Sequence, residues 1–236
     1  MTDQRAAEVL VEVARELDRL GFAPASTGNV SVRLSDGLLA ITPSGVPYSR
    51  LRPEHIVVVD IDGRPIVGDL EPSSDTPVHV AVYRARPDVD SVLHCHSPLA
   101  TTLACLGLPL PPVHYMMASL SPDGHVGVAP YAIYGSDALG SNAAAELGKD
   151  RMACLLANHG VVCVGASPER ALANAVTLDW AAGVYQRALV LNDKPPLLRP
   201  SEVTEVARKL STYGATNRTR LASPDGHVHP KEEESR

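Results

Sequence analysis

Apolar residues recur every three or four positions near the start of the chain, which predicts an amphipathic helix over about residues 4–20. Its apolar face is formed by Ala6, Val9, Leu10, Val13, Leu17 and Leu20. Gly21 marks its end. Capping serines, early prolines and closing glycines predict five more helices. They cover about 73–85, 97–106, 136–147, 167–191 and 201–212.

Short apolar or alternating runs between these helices predict β-strands. They cover about 29–34, 38–42, 55–61, 64–67, 91–96, 126–129, 152–157 and 161–165, with turns at Asp36-Gly37 and Asp62-Gly63. Strands and helices interleave without a strict βαβ alternation. The pattern therefore predicts an α/β fold in three layers, a mixed β-sheet with helices on both faces.

The composition limits the classes of partner. The chain has 236 residues, 44% of them hydrophobic, and a net charge of −6 without a basic run, so we expect no nucleic-acid partner. No apolar run reaches the roughly 18–20 residues of a membrane span, so we expect no membrane partner. No break in composition divides residues 1–221, which predicts one domain. Residues 222–236 are polar and predict a disordered tail.

The four cysteines, Cys95, Cys105, Cys154 and Cys163, each lie in an apolar stretch, and none forms a Cys-x-x-Cys pair. This pattern predicts small, buried, reduced thiols and argues against a disulfide framework or a zinc ribbon. The N-terminus is polar and lacks the apolar core of a signal peptide. Together these features predict a cytoplasmic location.

Two histidines in the predicted strand at 91–96 are the first candidates for chemistry. Side chains alternate along a strand, so His94 and His96 should point to the same face. Two imidazoles placed in this way can bind one metal ion at about 2.0–2.1 Å each. A catalytic zinc ion has about three protein ligands and an open position, so a third ligand is needed.

His159 is our candidate for the third ligand, because it lies between two strongly apolar runs at 154–157 and 161–164. Taken alone, His159 is better explained as a satisfied histidine in a turn. Together with the pair it predicts a three-histidine site with an open position, the catalytic pattern. His227 and His229 repeat the spacing of the pair, but they lie in the polar tail, so we do not expect a specific site there.

Asp75 stands at the predicted start of the helix that precedes the histidine strand. It is explained either as an acid favoured by the helix dipole or as a catalytic carboxylate, and both interpretations stay open. Three turns offer small residues and main-chain N–H groups, which can form an anion pocket together with a helix N-terminus: Gly28-Asn29, Ser44-Gly45 and Ser73-Ser74. No phosphate loop of the nucleotide-binding kind is present.

Seven short motifs are informative as a set. They are Thr27-Gly28-Asn29-Val30-Ser31, Thr42-Pro43-Ser44-Gly45, Pro72-Ser73-Ser74-Asp75, His94-Cys95-His96, His114-Tyr115-Met116, Ala129-Pro130-Tyr131 and Asn158-His159-Gly160. In order and spacing they resemble the class II aldolase family, whose fold is shared with the adducin head domain. The resemblance covers about residues 5–215. Within the family the fuculose phosphate aldolases are most similar, including Ser211-Thr212-Tyr213-Gly214.

The resemblance implies a role for each candidate. Zinc, or alternatively another divalent metal, would be bound by His94, His96 and His159. The phosphate of a small phosphorylated sugar would be bound by Gly28, Asn29, Ser44, Gly45, Ser73 and Ser74. The acid–base carboxylate would be Asp75. The tyrosines that enter the active site from a neighbouring subunit of a homotetramer would be Tyr115 and Tyr213.

The implied reaction is reversible cleavage of a ketose 1-phosphate to dihydroxyacetone phosphate and an aldehyde, through an enediolate that the metal stabilises. One departure leaves alternatives open. The fuculose phosphate aldolases have a glutamate where this chain has Asp75, and Asp75-Thr76-Pro77 more closely resembles the epimerases and sugar-acid decarboxylases of the family. A non-catalytic, adducin-like interaction domain is a further alternative, against which the three histidines argue.

Overall fold

The computed structural model describes residues 3–35 and 37–213. Eight strands in this part of the chain form one sheet: β1 (Asn29–Arg33), β2 (Leu39–Ile41), β3 (Val57–Val59), β4 (Pro65–Val67), β5 (Ser91–Cys95), β6 (Val128–Ala129), β7 (Ala153–Leu156) and β8 (Gly160–Gly165). Their order is β4-β3-β2-β1-β5-β8-β7-β6. All neighbours are antiparallel except β6 and β7, which are parallel. The predicted mixed sheet is therefore confirmed.

Six α-helices lie at or within a few residues of their predicted positions: α1 (Asp3–Arg19), α2 (Thr76–Ala85), α3 (Pro98–Leu106), α4 (Asp137–Leu147), α5 (Pro168–Leu191) and α6 (Pro200–Thr212). The strand predicted at 91–96 ends one residue early, because the His96 N–H leaves the sheet and donates to the Phe22 carbonyl at 2.8 Å. The strand predicted at 55–61 shortens to β3, because Pro53–His55 forms a 3₁₀ turn.

The helices pack on both faces of the sheet, as predicted. Leu93 of β5 belongs to a buried cluster with Leu178 of α5 and with residues of α1 and α3. Its neighbour Val92 points to the opposite face and belongs to a second cluster with Val78 of α2 and Leu139 of α4. Each face of the sheet thus has its own hydrophobic core, which follows from the period-two alternation of the strands.

The cysteines largely follow the prediction, with one correction. All four are free thiols, and Cys95, Cys154 and Cys163 are buried, so that burial raises the pKa of Cys95 to about 12. Cys105, however, is exposed. The apolar run that contains it forms helix α3, where successive side chains rotate around the axis, and Cys105 falls on the outer side next to the exposed Leu106.

No helix in the described residues has both the length and the apolar character needed to cross a lipid bilayer. Asp36 of the first predicted turn lies outside the described residues, and so does the predicted tail at 222–236 with His227 and His229.

Candidate active site

The three predicted metal ligands meet at one end of the paired strands β5 and β8. His94 lies in β5, His96 follows it, and His159 lies in the turn between β7 and β8. The register pairs Cys95 with Val161, which brings that turn against the end of β5. The ring centroids are 4.7, 4.8 and 5.3 Å apart, and one ligand nitrogen from each ring lies within 4.8 Å of the others. The cluster can hold one metal ion.

The turn that carries His159 depends on its two neighbours. Asn158 has a φ of +53°, in the left-handed region that asparagine tolerates better than most residues. A Cβ at Gly160 would lie 2.6 Å from the Cys95 carbonyl oxygen and 2.8 Å from Cδ2 of His96. Only glycine allows the backbone of the turn to come this close to Cys95 and His96, and this contact brings the third histidine next to the other two.

Main-chain contact fixes which nitrogen of His94 faces the cluster. Nδ1 lies 2.9 Å from the Val161 carbonyl oxygen, which can only accept, so Nδ1 carries the ring hydrogen. Nε2 therefore has a free lone pair. It is buried and has no hydrogen-bond partner, although it lies 3.7 Å from a carboxylate oxygen of Asp75. Buried polar atoms seldom lack a partner, and a metal ion would provide one.

A threonine fixes the tautomer of His96 in the same way. Thr27 Oγ1 donates its one hydrogen to the Pro24 carbonyl at 2.7 Å, so it must accept from Nδ1 of His96 at 3.0 Å. Nε2 of His96 is thereby also left with its lone pair. Two of the three rings are thus held in the tautomer that binds a metal through Nε2.

Burial also keeps the rings uncharged. It lowers the pKa of His94 to about 3, with His96 acting in the same direction, and it lowers the pKa of His96 to about 4. Burial likewise lowers the pKa of His159. At neutral pH all three rings are unprotonated, as metal ligation requires.

The carboxylate of Asp75 faces the histidines and makes no capping bond to helix α2, although Asp75 occupies the capping position. One oxygen accepts from Nδ2 of Asn29 at 3.0 Å, and the other accepts from the Gly135 N–H at 3.1 Å. Asp75 is 5% exposed. A role as a simple helix-dipole acid does not explain this arrangement, since both oxygens are held by groups outside the helix.

Two opposing effects set the protonation state of Asp75. Burial pushes its pKa upward, whereas His94, the Asn29 hydrogen bond, and more weakly His79 and His159 pull it down. The net result is a pKa below the usual value. The buried carboxylate is therefore ionised at neutral pH and can accept a proton.

The predicted phosphate-binding residues all line one cavity of about 480 Å³, together with Asp75, His96 and His159. They are Gly28, Asn29, Ser44, Gly45, Ser73 and Ser74. Main-chain bonds from Ser44 N to Glu71 O at 2.9 Å and from Ser73 N to Thr42 O at 3.1 Å join two of the turns. Among the described lining residues there is no lysine or arginine, so an anion would meet neutral donors.

The two predicted tyrosines do not join this cluster. Tyr115 is 50% exposed and Tyr213 is 77% exposed, and neither lines the cavity of its own chain. Tyr131 and Tyr134 do line it. Tyr131 belongs to a motif that the sequence analysis quoted without assigning a role.

The sequence analysis assigned no role to Tyr134, Thr27 or the Gly135 N–H. No periodicity or spacing points to Thr27 and Gly135, because contacts between distant segments bring them to the site, and only the tertiary structure places Tyr134 in the cavity.

Residues 8–186 match the family described as the Class II Aldolase and Adducin N-terminal domain. The chain is 38% identical over 214 residues to the L-fuculose phosphate aldolase of Escherichia coli O6:H1, covering 91% of this chain and 98% of the relative. It is 39% identical over 215 residues to the 5-methylthioribulose-1-phosphate/5-deoxyribulose-1-phosphate aldolase of Rhodospirillum rubrum, covering 91% and 94%.

Solved structures with a similar fold also include aldolases. An L-fuculose 1-phosphate aldolase superposes with a TM-score of 0.83 at 34% identity, covering 88% of this chain and 96% of the other. The protein YgbL from Klebsiella pneumoniae, described as a putative aldolase/epimerase/decarboxylase, superposes with a TM-score of 0.78 at 34% identity, covering 87% and 99%.

Proposed function

The chain belongs to the class II aldolase and adducin N-terminal domain family, and from that premise we propose that it is a zinc-dependent aldolase acting on a ketose 1-phosphate. The products are dihydroxyacetone phosphate and an aldehyde. One observation carries the proposal. An ionised carboxylate lies 3.7 Å from a ligand nitrogen of a three-histidine cluster, and it lines one cavity together with two of these histidines and with the turns of small residues.

The three histidines would hold the zinc ion. Three neutral imidazoles suit zinc. Nε2 of His94 is buried without a hydrogen-bond partner, and a bound zinc ion would give it one. When bound, the ion would supply Lewis-acid polarisation of the substrate carbonyl. Thr27 and the Val161 carbonyl keep the rings of His96 and His94 oriented for this task.

The turns would orient the substrate by its phosphate. The cavity of about 480 Å³ lies within the roughly 300–1,000 Å³ range of small-molecule sites. Gly28, Gly45 and Ser74 offer main-chain N–H groups. Ser44, Ser73 and Ser74 offer hydroxyls, because the N–H groups of Ser44 and Ser73 are used on main-chain carbonyls. Asn29 would contribute the second hydrogen of Nδ2, because its other Nδ2 hydrogen and its Oδ1 are hydrogen-bonded inside the protein and its main chain is paired with His94 in the sheet. Holding the phosphate fixes the reacting carbon near Asp75.

The proposed cleavage moves two protons. The hydroxyl at C4 loses its proton, the C3–C4 bond breaks to release the aldehyde, and C3 gains a proton to give dihydroxyacetone phosphate. Asp75 is the acid–base group at C3, which takes the proton in the condensation direction and returns it on cleavage. Tyr115 or Tyr213 of a neighbouring subunit would exchange the hydroxyl proton.

A cleavage assay tests the proposal. L-fuculose 1-phosphate and 5-deoxyribulose 1-phosphate are supplied separately, and the release of dihydroxyacetone phosphate is followed by a coupled NADH-dependent reduction. Protein stripped with EDTA should be inactive, and zinc should restore activity. Cleavage at the full rate by stripped protein, with metal content checked by mass spectrometry, would overturn the metal-dependent mechanism.

We propose further that the active sites lie at subunit interfaces of a homotetramer, because the two assigned tyrosines are on the surface, away from the cavity of their own chain. Subunit mixing tests this. Asp75→Asn and Tyr213→Phe variants, each impaired alone, should regain activity when hybrid oligomers form, since some hybrid sites combine an intact Asp75 with an intact Tyr213. Hybrids seen by native mass spectrometry without regained activity would contradict the proposal.

A second reaction on the same site is an epimerisation or a decarboxylation. Asp75 in place of a longer glutamate favours this alternative, and so does the similarity to YgbL. Product analysis separates the reactions. An aldolase releases an aldehyde with dihydroxyacetone phosphate, a decarboxylase releases carbon dioxide, and an epimerase returns a sugar phosphate of unchanged mass.

A further inference from the structure

Five buried polar side chains between β1 and α2 form a continuous chain of hydrogen bonds that ends on Asp75. Tyr83 OH lies 2.9 Å from Ser31 Oγ, and Ser31 Oγ lies 2.6 Å from Nδ1 of His79. Nε2 of His79 lies 2.6 Å from Oδ1 of Asn29, whose Nδ2 donates to Asp75 at 3.0 Å. None of the five is more than 5% exposed.

The donor and acceptor at each step follow from the carboxylate. Asp75 is ionised and can only accept, so the amide of Asn29 must present its N–H₂ to Asp75 and its oxygen to His79. That oxygen can only accept, so Nε2 of His79 must carry a hydrogen. His79 is fully buried and neutral, which leaves Nδ1 to accept from Ser31.

The remaining step has the same direction. Ser31 uses its hydrogen on His79 and therefore accepts from Tyr83. Ser31 Oγ, at 2.9 Å, is nearer to the Tyr83 hydroxyl than its other acceptor, the Asp90 carbonyl at 3.4 Å. Tyr83 keeps its phenolic hydrogen because burial raises its pKa. All donations thus run in one direction, from Tyr83 towards Asp75. The position of the hydrogen is therefore determined in every bond of this chain. The Nε2–H of His79 is the donor that decides which end of the Asn29 amide faces the carboxylate.

We propose that His79 is a positioning residue for the reaction: it holds Asn29 so that the amide N–H, and not the amide oxygen, faces Asp75. This inference rests on the proposed function of Asp75. Without the donor at Nε2, the amide oxygen of Asn29 loses its partner, and the amide is free to rotate. Its oxygen then repels the carboxylate, which leaves the place where it can reach the substrate carbon.

The same contacts would also stabilise the fold, so the test must separate catalysis from stability. We compare His79→Leu, His79→Gln and His79→Asn with Asn174→Leu as a matched control. The Gln amide nitrogen can occupy the place of Nε2 and donate to Asn29, whereas the Asn amide reaches only the place of Nδ1. Asn174 is a buried amide on the other face of the sheet, where it donates to the Val164 carbonyl.

The expected result is a split between kcat and KM. His79→Leu should lose about 10–100-fold in kcat, the usual effect of removing a partner that orients a functional group. Bound zinc should be unchanged, and KM should rise far less than kcat falls, because the phosphate keeps its other donors. His79→Gln should restore most of the lost kcat, and His79→Asn should not. Asn174→Leu should lower the melting temperature and leave kcat as it was. Unchanged kcat in folded His79→Leu, or equal rescue by Gln and Asn, would overturn the inference.

A spectroscopic measurement tests the hydrogen-bond order without any turnover. In zinc-loaded protein, long-range ¹H–¹⁵N correlation should show His79 as the neutral tautomer protonated at Nε2, and the Asn29 side-chain amide should exchange faster in His79→Leu. If no ketose phosphate is cleaved, the proposed function fails, but this measurement still tests the hydrogen-bond chain. A His79 ring protonated at Nδ1 would overturn the inference that His79 holds Asn29, even in an active enzyme.

Discussion

Strand β1 presents opposite chemistry on its two sides. Val30 and Val32 pack into the apolar core with helices α1, α3 and α5. The alternating residues Asn29 and Ser31 face α2, where their side chains take part in the hydrogen-bond chain to Asp75. Burial is equally complete on both sides, yet one side gains stability from apolar contact and the other holds a carboxylate in place.

This difference predicts separable phenotypes. Substitutions on the α2 side near the site should reduce metal binding or turnover more than stability. Substitutions on the α1 and α5 side should reduce stability and spare turnover. The following variants test this division, from the largest expected effect to the smallest.

His94→Ala should abolish catalysis. His94 is the most buried of the three ligands, and the metal that the cluster would hold supplies several kcal/mol of transition-state stabilisation, equivalent to a loss of about 10³-fold or more. Bound zinc, measured by mass spectrometry, should disappear together with the activity. His55→Ala, at the end of a surface turn, is the control and should keep both. Full activity of His94→Ala would contradict the assignment of His94 as a metal ligand.

Asp75→Asn should lower kcat by about 10²–10⁴-fold, the usual contribution of a positioned acid–base group. The substitution preserves size but removes the ability to take a proton. Bound zinc should remain, because the three histidines suffice to hold it. If zinc is lost along with activity, Asp75 serves as a ligand and not as the proton carrier.

Gly160→Ala should weaken zinc binding about 10–100-fold, comparable to the loss of a group that orients a metal ligand. The added Cβ would lie 2.6 Å from the Cys95 carbonyl oxygen, so the turn must move and carry His159 away. A competition titration with a chelator measures the affinity. Gly107→Ala adds the same methyl group where no atom lies within 4 Å of it, at the cost of backbone strain from the φ of +63°, and it should leave zinc affinity unchanged.

Leu178→Ala, in helix α5 on the apolar side, should lower the free energy of unfolding by about 2–5 kcal/mol, as expected for a large-to-small change in a core. The kcat of the folded fraction at 25 °C should match that of the unmodified protein. Val176→Ala on the exposed side of the same helix is the control. A fall in kcat without a fall in stability would remove the distinction between the two sides.

The α2 side should also make stability depend on pH through His79. Burial lowers the pKa of folded His79 to about 4, against about 6.5 in the unfolded chain. Above about pH 6.5 neither state binds this proton. As the pH falls from about 6.5 to about 4, only the unfolded state takes it up, which destabilises the fold by up to roughly 3 kcal/mol.

Urea unfolding at pH 7 and pH 4.5 measures the effect of His79. His79→Gln removes this titration, so the loss of stability on acidification should be smaller in the variant than in the unmodified protein. Equal losses in the two proteins would show that His79 does not contribute.

Much of the fold was predictable because its signals are local. Ser136 and Ser167 cap their helices through the predicted hydroxyl bonds, and Gly107 ends α3 with a positive φ. Strand alternation placed residues on the correct sheet faces. One error falls where distant segments interact, at His96, whose N–H bonds to Phe22 instead of continuing the strand. The other, at Cys105, arises because an apolar run that forms a helix also has an outer side.

The sequence by itself determined that His94 and His96 lie two residues apart at the end of a buried strand, because side-chain direction in a strand depends only on position along the chain. Only the tertiary structure decided that His159 joins them, because that contact needs the β5–β8 register and the missing side chain of Gly160. It also decided that Asp75 is held by Asn29 and Gly135, since these bonds join segments 46 and 60 residues apart. Such contacts come from packing, and no local pattern of residues encodes them.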